Sequence, residues 1–517
     1  MTFHVKLNLS LLLTALVAWS SANAESPDER PNIVVILADD LGYGDVQPLN
    51  SESRIETPNF ARLANEGMTF KDAHSPSAVC TPTRYGLMCG RYSWRTSMKK
   101  GVLGGYSEPL IQPDRQTIAG VLKTAGYRTG CIGKWHLGLG WQLKDQTDRD
   151  AEYKGISGNK AGLVDYSKPL THGPTFVGFD SSLIIPASLD MSPYVYVRDD
   201  RVTAIPDKVI KGERFPVFYR KGEIAADFEM DSALDRLTEE ACEFIRDSSE
   251  SDNPFFLYFP LTAPHKPVLP HERFRGTTEL GEYGDFIAQV DWTVGQVMQA
   301  LDEAGAADNT LLIVTSDNGS FMYSYPDKEV DHLGNSQVQG YHPDTHRSNA
   351  NWRGTKADIW EAGHRVPFFV RWPSTIGAAS TSDATICHTD LLATVAEVAQ
   401  VDFDQTSAED SFSFLSALKG QQHERKPVIH QSGSGFLAIR DGDWKLILGS
   451  GSGGREKPRG NHLEEPFHLY NLRDDPAEQN NLIKTNSEQA KMLHEAFLEI
   501  SRGDHPPAEP KSQKNKK

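Results

Sequence analysis

Cysteine is scarce in this chain, and no two cysteines form a C-x-x-C pair. The five cysteines are Cys80, Cys89, Cys131, Cys242 and Cys387. The missing pairs argue against a structural zinc site and against a redox-active dithiol. An odd number is also unusual for an exported protein. We interpret Cys131, Cys242 and Cys387 as small buried hydrophobic residues, whereas Cys80 needs another explanation.

Basic residues are outnumbered by acidic ones. The chain has 53 Lys and Arg residues against 70 Asp and Glu residues, which gives a formal net charge of −17. An acidic protein repels nucleic acid phosphates, and no long basic stripe offsets that repulsion, so we expect no nucleic acid partner. Any anionic substrate would require lysine and arginine side chains placed locally in its pocket.

Long apolar runs are absent beyond the first residues of the chain. No later stretch approaches the ~18 apolar residues of a membrane-spanning helix, so we expect no membrane span. At the start, Lys6 precedes an apolar run over residues 9–19 and the small-x-small sequence Ala22-Asn23-Ala24. This pattern predicts a secretory signal over residues 1–24, cleaved before Glu25, and a secreted or periplasmic protein. The alternative is an uncleaved anchor.

Short apolar runs alternate with helical patterns along most of the chain. The runs at residues 32–37, 255–259, 311–315 and 367–371 are typical of buried parallel strands. Residues 59–66, 234–245 and 290–301 carry apolar residues at helical spacing. This alternation predicts an α/β sandwich with a large, mostly parallel sheet.

Two regions differ from this pattern. Residues 142–220 are rich in Gly, Pro and Tyr and predict long loops over the sheet edge, which are often binding loops. From about residue 425, two short apolar runs flank Asp441-Gly442, a hairpin signal, and a helix is expected near residues 488–501. We therefore predict a main domain over residues 25–424, a smaller antiparallel C-terminal subdomain over 425–505, and a disordered polar tail over 506–517.

Carboxylates follow two of the predicted strands. Asp39 and Asp40 come after the first strand, and Asp317 and Asn318 follow the strand at residues 311–315. In open α/β sheets, sites form beyond the carboxyl ends of strands. Three carboxylates and an amide brought together there would suit calcium or magnesium. Helix N-capping is the alternative for either segment alone, but the coincidence of the two favours a metal site.

A short cysteine-containing motif carries a family resemblance. The segment Cys80-Thr81-Pro82-Thr83-Arg84 lies about 40 residues after Asp39-Asp40 and is followed by Cys89-Gly90-Arg91. It resembles the C-x-P-x-R signature of the type I sulfatases, members of the alkaline phosphatase superfamily whose motif cysteine is oxidised to formylglycine. The family often has Thr-Gly-Arg where this chain has Cys89-Gly90-Arg91.

Further motifs extend the resemblance over residues 31 to about 375. Gly133-Lys134-Trp135-His136-Leu137-Gly138 is similar to the family's G-K-W-H-L-G motif, and Pro264-His265-Lys266-Pro267 to its P-H motif. Trp352-Arg353-Gly354-Thr355-Lys356 resembles the segment that carries the last catalytic lysine. Residues 361–373 continue as that segment usually does, with His364 where a hydrophobic residue is common.

The resemblance implies a mechanism for sulfate ester hydrolysis. One hydroxyl of a hydrated formylglycine at position 80 attacks sulfur beside a calcium ion, and the second hydroxyl later expels the sulfate. The implied metal ligands are Asp39, Asp40, residue 80, Asp317 and Asn318. The implied catalytic roles are these: Arg84 and Lys134 hold the hydrated aldehyde, Lys356 and His265 bind sulfate and protonate the leaving group, and His136 is the base. A formylglycine-generating maturation enzyme is an implied partner.

Export makes sulfated extracellular glycans the expected substrates, with galactose or N-acetylgalactosamine sulfate suggested by loose similarity. Lys99, Lys100, Asp190 and Tyr194 are expected to contact the sugar, although a solvated surface explains them as well.

One alternative function is a phosphodiesterase or phosphonate hydrolase on the same scaffold, which the G-K-W-H and P-H motifs disfavour. The other is a non-catalytic glycan-binding relative, which the full set of charged residues disfavours.

Overall fold

The computed structural model describes residues 1–2, 30–144, 160–325 and 330–502. The predicted secretory signal, apart from its first two residues, and the predicted tail over residues 506–517 lie outside the described residues. Part of the irregular region, residues 145–159, lies outside them as well.

The described chain contains strands of very different length. They are β1 (Asn32–Asp39), β2 (Met68–Phe70), β3 (Ala73–His74), β4 (Arg128–Lys134), β5 (Ser181–Ile185), β6 (Val197–Arg198), β7 (Arg201–Val202), β8 (Lys208–Ile210), β9 (Gly222–Ile224), β10 (Phe255–Pro264), β11 (Thr310–Ser316), β12 (Tyr323–Ser324), β13 (Gly340–Tyr341), β14 (Phe368–Arg371), β15 (Ser380–Ser382), β16 (Ile386–Cys387), β17 (Val428–Gln431), β18 (Leu437–Asp441), β19 (Trp444–Ile447) and β20 (His468–Asn471).

Two groups of α-helices accompany the strands. The helices are α1 (Pro58–Glu66), α2 (Cys80–Cys89), α3 (Ile118–Thr124), α4 (Ala233–Ser249), α5 (Gly281–Glu303), α6 (Glu361–His364), α7 (Leu391–Val398), α8 (Leu415–Leu418) and α9 (Ser487–Ser501). Helices α1, α4 and α5 pack together, as do α2, α3 and α7. Within the described residues, none of these helices is long and apolar enough to cross a bilayer.

A large mixed sheet forms the centre of the fold. Its strand order is β15-β2-β14-β11-β1-β10-β4-β5-β6-β7. The central strand β1 is parallel to both β10 and β11, and β4 and β5 extend the parallel part. Strand β11 is buried along its whole length. Because successive side chains point to opposite faces, both faces of the sheet are covered, which is the sandwich that the sequence predicts.

The predicted core strands are present, but one of them runs in the other direction. The runs at residues 32–37, 255–259 and 311–315 are the parallel neighbours β1, β10 and β11. The run at 367–371 is β14, which is antiparallel to β11, so the prediction of a parallel strand is wrong there. A continuous apolar run indicates burial on both faces of a sheet and carries no information about strand direction. Strand β5, inside the irregular region, is not predicted from the sequence.

A separate four-stranded antiparallel sheet forms near the C-terminus, in the order β17-β18-β19-β20. The predicted hairpin at Asp441-Gly442 joins β18 to β19, and Gly442 supplies the positive φ of 53° that the turn requires. Leu493 and Phe497 of α9 pack against this sheet. The subdomain boundary at residue 425 stays a prediction.

Three buried histidines from separate elements lie together: His74 on β3, His364 in α6 and His430 on β17. The Nδ1 atoms of His74 and His364 lie 3.1 Å apart, and the rings of His364 and His430 stack with centroids 3.7 Å apart. Burial lowers the pKa of His74 to about 4 and holds the pKa values of the other two well below the ordinary range. The folded cluster is therefore neutral near neutral pH.

We expect acid to destabilise the parent protein more than a His430→Leu variant. The unfolded histidine takes up a proton as the pH falls below about 6.5, while the folded one does not, so stability is lost in this window. The free energy of unfolding of the parent should fall by roughly 1.4 kcal/mol more per pH unit than that of the variant. Urea unfolding at several pH values measures both slopes. His494→Leu, at a half-exposed site on α9, is the control, and equal slopes for parent and His430→Leu would contradict the prediction.

Candidate active site

Four neighbouring parallel strands bring polar side chains to one edge of the large sheet. These side chains are Asp39 and Asp40 at the end of β1, Asp317 and Asn318 after β11, Lys134 at the end of β4, and His265 after β10. The carboxyl ends of parallel strands meet at the same sheet edge. The sequence prediction that Asp39-Asp40 and Asp317-Asn318 lie together is therefore reproduced in the structure.

The acidic cluster is fully buried and fixed by hydrogen bonds. The backbone N–H of Asp40 donates to Oδ1 of Asp317 at 3.2 Å, and Nδ2 of Asn318 donates to Oδ1 of Asp40 at 2.7 Å. Asp40 has a φ of 69°, in the left-handed region that is uncommon for residues other than glycine. Strained backbone of this kind persists where the surrounding structure holds it and is frequent at functional sites.

Each carboxylate faces a buried cation. Lys134 Nζ lies 2.6 Å from Oδ2 of Asp39, Lys356 Nζ lies 2.6 Å from Oδ1 of Asp40, and Arg84 Nη2 lies 2.7 Å from Oδ2 of Asp317. These three distances show that all three basic residues of the predicted site reach the acidic cluster. The arrangement balances three negative charges with three positive ones in a region without water contact.

The cations affect the acidic groups unequally. Burial raises the pKa of Asp39 to about 7, despite the opposing effect of Lys134. Burial also acts to raise the pKa of Asp317, but Arg84 and Lys134 outweigh it and lower that pKa to about 2. Asp317 is therefore firmly ionised, in contrast to Asp39.

Cys80 is the first residue of α2 and lies over the acidic cluster. Its Sγ is 3.6 Å from Oδ1 of Asp39 and 3.6 Å from Nζ of Lys356. The side chain of Thr81 donates to the carbonyl of His136 at 3.0 Å, which fixes the start of the helix. Burial, followed by the charge of Asp317, raises the pKa of the Cys80 thiol. An unmodified cysteine here is thus a poor nucleophile, because attack requires the thiolate.

Two buried histidines line the same cavity as Cys80, and each uses a different ring nitrogen to bond a backbone carbonyl. His265 uses Nδ1 to bond the carbonyl of Lys266 at 2.6 Å, so its Nε2 faces Asp40 at 3.7 Å. His136 uses Nε2 to bond the carbonyl of Leu103 at 2.7 Å, and its Nδ1 has no hydrogen-bond partner among the described residues. Burial, reinforced by nearby lysines, holds both pKa values well below the ordinary range. Both rings are neutral, and Nδ1 of His136 is free to accept a proton.

The acidic cluster fits a hard divalent cation. Ligand atoms of Asp39, Asp40, Cys80 and His265 all lie within 4.8 Å of one another. Oδ1 of Asn318 is buried and accepts no hydrogen bond from any described residue. Carboxylate and amide oxygens are the ligands that calcium and magnesium prefer.

A cavity of about 390 Å³ opens above Cys80. It is lined by the predicted residues His136, Asp190, His265 and Lys356. It is also lined by Lys266, Arg220 and Arg455, to which the sequence reasoning assigned no role. Lys266 adjoins the recognised P-H motif, which is a signal that could have identified it. No local pattern marks Arg455, because it reaches the cavity only through the packing of the C-terminal region.

The residues predicted to contact sugar occupy different places. Lys100 lines a second groove of about 820 Å³ that shares Val102, Met191 and Arg220 with the cavity above Cys80. The ammonium of Lys99 donates to the carbonyl of Trp94. Tyr194 is buried, and its hydroxyl donates to the carbonyl of Arg220 at 2.6 Å. Among these residues, Asp190 is the one whose side chain lines the cavity above Cys80.

The sheet topology and this charged, buried site define an α/β enzyme with the alkaline-phosphatase-like fold. The sulfatase family model matches residues 31–401. The chain therefore belongs to the sulfatase family and is a sulfuric ester hydrolase.

Curated relatives cover most of the chain. The N-acetylgalactosamine-6-O-sulfatase of Bacteroides thetaiotaomicron is 33% identical over 510 residues, covering 91% of this chain and 93% of the relative. The human steryl-sulfatase is 29% identical over 474 residues, covering 84% and 77%. Sulfatases named for very different substrates are thus similar to this chain.

Solved structures agree with the fold. A structure from work on glycosaminoglycan metabolism by Bacteroides thetaiotaomicron superposes with a TM-score of 0.77 at 30% identity, covering 91% of this chain and 99% of the other. The phosphonate monoester hydrolase of Agrobacterium radiobacter has a TM-score of 0.56 at 18% identity, covering 92% and 96%. At that identity the second comparison shows the fold alone.

Proposed function

We propose that this sulfatase is an exported enzyme that removes sulfate from glycans containing N-acetylgalactosamine or galactose, with formylglycine at position 80 and one calcium ion. The observation that carries the proposal is the placement of Cys80 between Lys356 and the acidic cluster. The name of the Bacteroides thetaiotaomicron relative supports the choice of sugar. The predicted secretory signal supports export.

Oxidation of Cys80 accounts for a nucleophile position that a buried, protonated thiol cannot serve. Hydrated formylglycine would supply two hydroxyls on one carbon, one to attack sulfur and one to expel the sulfate afterwards. All residues of α2, from Cys80 to Cys89, are buried in the folded chain. We therefore place the action of the maturation enzyme before folding is complete.

Asp39, Asp40, Asp317 and Asn318 would hold the calcium ion, together with residue 80. The ion would supply positive charge beside the reacting sulfate, where charge neutralisation lowers the barrier. Arg84 pairs with Asp317 and Lys134 pairs with Asp39, and both basic residues would orient residue 80.

The remaining residues would handle sulfate and protons. The ammonium of Lys356 lies 3.6 Å from Sγ of Cys80 and would bind a sulfate oxygen there. A ring nitrogen of His265 belongs to the same cluster of ligand atoms. Because its Nδ1–H already donates to the carbonyl of Lys266, His265 would hold sulfate or protonate the leaving alcohol as the imidazolium, which the negative charge of bound sulfate would favour. Nδ1 of His136, which has no other partner among the described residues, would accept the proton of the second hydroxyl.

We expect an aryl sulfate to be a better substrate than an aryl phosphodiester by on the order of 10³-fold or more in kcat/KM, since enzymes discriminate between substrates through transition-state binding. The two esters carry the same nitrophenol leaving group, so the rate of nitrophenol release measures both reactions in the same assay. Faster hydrolysis of the phosphodiester would favour the phosphodiesterase or phosphonate hydrolase alternative instead.

A further inference from the structure

The walls of the cavity above Cys80 differ in charge. Asp190 is the only carboxylate among the described residues that line it, and Arg220 already forms an ion pair with Asp190. Lys266 and Arg455 line the same cavity, and neither forms an ion pair with a carboxylate in the part of the chain that the structure describes. Both side chains lie beside Phe321. The cavity wall at that point therefore carries two positive charges that no carboxylate of the described chain pairs with.

Lys266 is held at this wall without a strong partner. Its Nζ lies 5.3 Å from the ring centroid of Phe218 and 5.5 Å from that of Phe321. Its nearest acceptor is Oε1 of Gln339, at 3.5 Å. The half-buried ammonium is thus positioned by aromatic faces and retains capacity to donate hydrogen bonds.

Arg455 is supplied by the C-terminal region through a fixed loop. The backbone N–H groups of Arg455 and Glu456 donate to Oδ1 of Asp358, and Glu456 pairs with Arg353 at 2.7 Å. A Cβ at Gly454 would lie 2.3 Å from the carbonyl oxygen of Ala357, so the loop packs directly on the segment after Lys356. The guanidinium makes one long bond, at 3.5 Å, to the carbonyl of Phe321.

We infer that Lys266 and Arg455 form a second anion subsite, which binds a carboxylate or a further sulfate on the substrate beside the sulfate being removed. The inference rests on the proposed function and deepens it: the preferred substrates are glycans with at least two anionic groups close together. The reacting sulfate already has Lys356 and His265 beside Cys80. In a chain of net charge −17, two neighbouring cations that form no ion pair with any described carboxylate make a local positive region that attracts anions.

Binding to a Cys80→Ala protein tests the subsite without turnover. Three ligands are compared by calorimetry: N-acetylgalactosamine 6-sulfate, its disulfated analogue, and the disaccharide that links a glucuronate to the same monosulfated sugar. We expect at least one of the doubly anionic ligands to bind about 10-fold or more tightly than the monosulfated sugar. Adding Lys266→Gln and Arg455→Gln together should remove that advantage, so that the doubly anionic ligand binds about 10-fold or more weakly. The Kd of the monosulfated sugar should change less than about threefold.

Arg459→Gln is the matched control, because Arg459 is an exposed residue of the same loop. A loss confined to the disulfated ligand identifies a sulfate at the subsite, and a loss confined to the glucuronate ligand identifies a carboxylate. Equal losses for all three ligands, or no advantage of either doubly anionic ligand, would overturn the inference. Turnover of an aryl sulfate by the parent enzyme, with Cys80 intact, reports separately on the proposed function. Aryl sulfate hydrolysis without an advantage of either doubly anionic ligand would overturn the subsite alone.

Discussion

Replacement of Cys80 by alanine should lower kcat for sulfate ester hydrolysis by on the order of 10³-fold or more, since it removes the attacking group itself. The Cys80→Ala variant should still fold, because the smaller alanine side chain fits the first turn of α2 without new contacts. Near-parent thermal stability, measured alongside activity, separates loss of chemistry from loss of structure. Cys242→Ser, at a buried cysteine on α4 far along the chain, is the control and should keep its activity.

Replacement of Cys80 by serine gives a sharper result. Serine keeps one hydroxyl, so it can attack a reactive aryl sulfate once, but it has no second hydroxyl to expel the sulfate. A covalent adduct of sulfate mass should therefore accumulate on the introduced serine after a single burst of phenol release. His136→Ala in an enzyme with Cys80 intact should slow the same release step, because it removes the unpartnered Nδ1 that would accept the proton. Direct attack of water on sulfur predicts no adduct, and repeated turnover by Cys80→Ser near the parent rate would contradict the mechanism.

Replacement of Asp317 by asparagine should remove most of the activity and also lower thermal stability. Asp317 pairs with the buried Arg84 at 2.7 Å, whereas the other carboxylate paired with Arg84, that of Asp39, lies at 3.6 Å. Removing one partner of a buried ion pair costs about 3–5 kcal/mol. The same change removes a proposed calcium ligand, so kcat should fall by on the order of 10²-fold or more. Asp39→Asn should act similarly on activity. Differential scanning calorimetry and steady-state kinetics measure the two effects.

Asp308→Asn provides the control, because Asp308 is exposed next to the opposite end of β11. It should change neither activity nor stability appreciably. Prolonged chelation should reproduce the loss of activity in the parent enzyme, and added calcium should restore it. Full activity of a preparation shown by elemental analysis to contain no metal would show that the reaction does not require calcium.

Much of the fold and of the site could be predicted, because the informative residues follow strands. The apolar runs that became β1 and β11 predicted parallel strands, whose carboxyl ends share one sheet edge, and the structure shows that these two strands are neighbours. The order of the family motifs then brought Lys134, His265 and Lys356 to the same edge. Short-range signals were sufficient wherever a functional side chain directly adjoins a strand end.

Other features depend on tertiary packing that leaves no local pattern. Arg455 enters the cavity because Asp358 holds its loop, a contact between residues almost 100 positions apart in sequence. The direction of β14 is likewise set by its pairing with β11 and not by its own apolar residues. Lys99 and Lys100 are adjacent in sequence, yet only Lys100 lines the groove that continues from the cavity.

Mass spectrometry of the peptide that contains residue 80, taken from the exported and active protein, tests the central claim most directly. The proposed function predicts that this peptide carries the mass of formylglycine in place of cysteine, and that specific activity rises in proportion to the modified fraction across preparations. A carbonyl-reactive probe should label the same peptide and inactivate the enzyme. Fully active protein whose residue 80 is entirely unmodified cysteine would contradict the account.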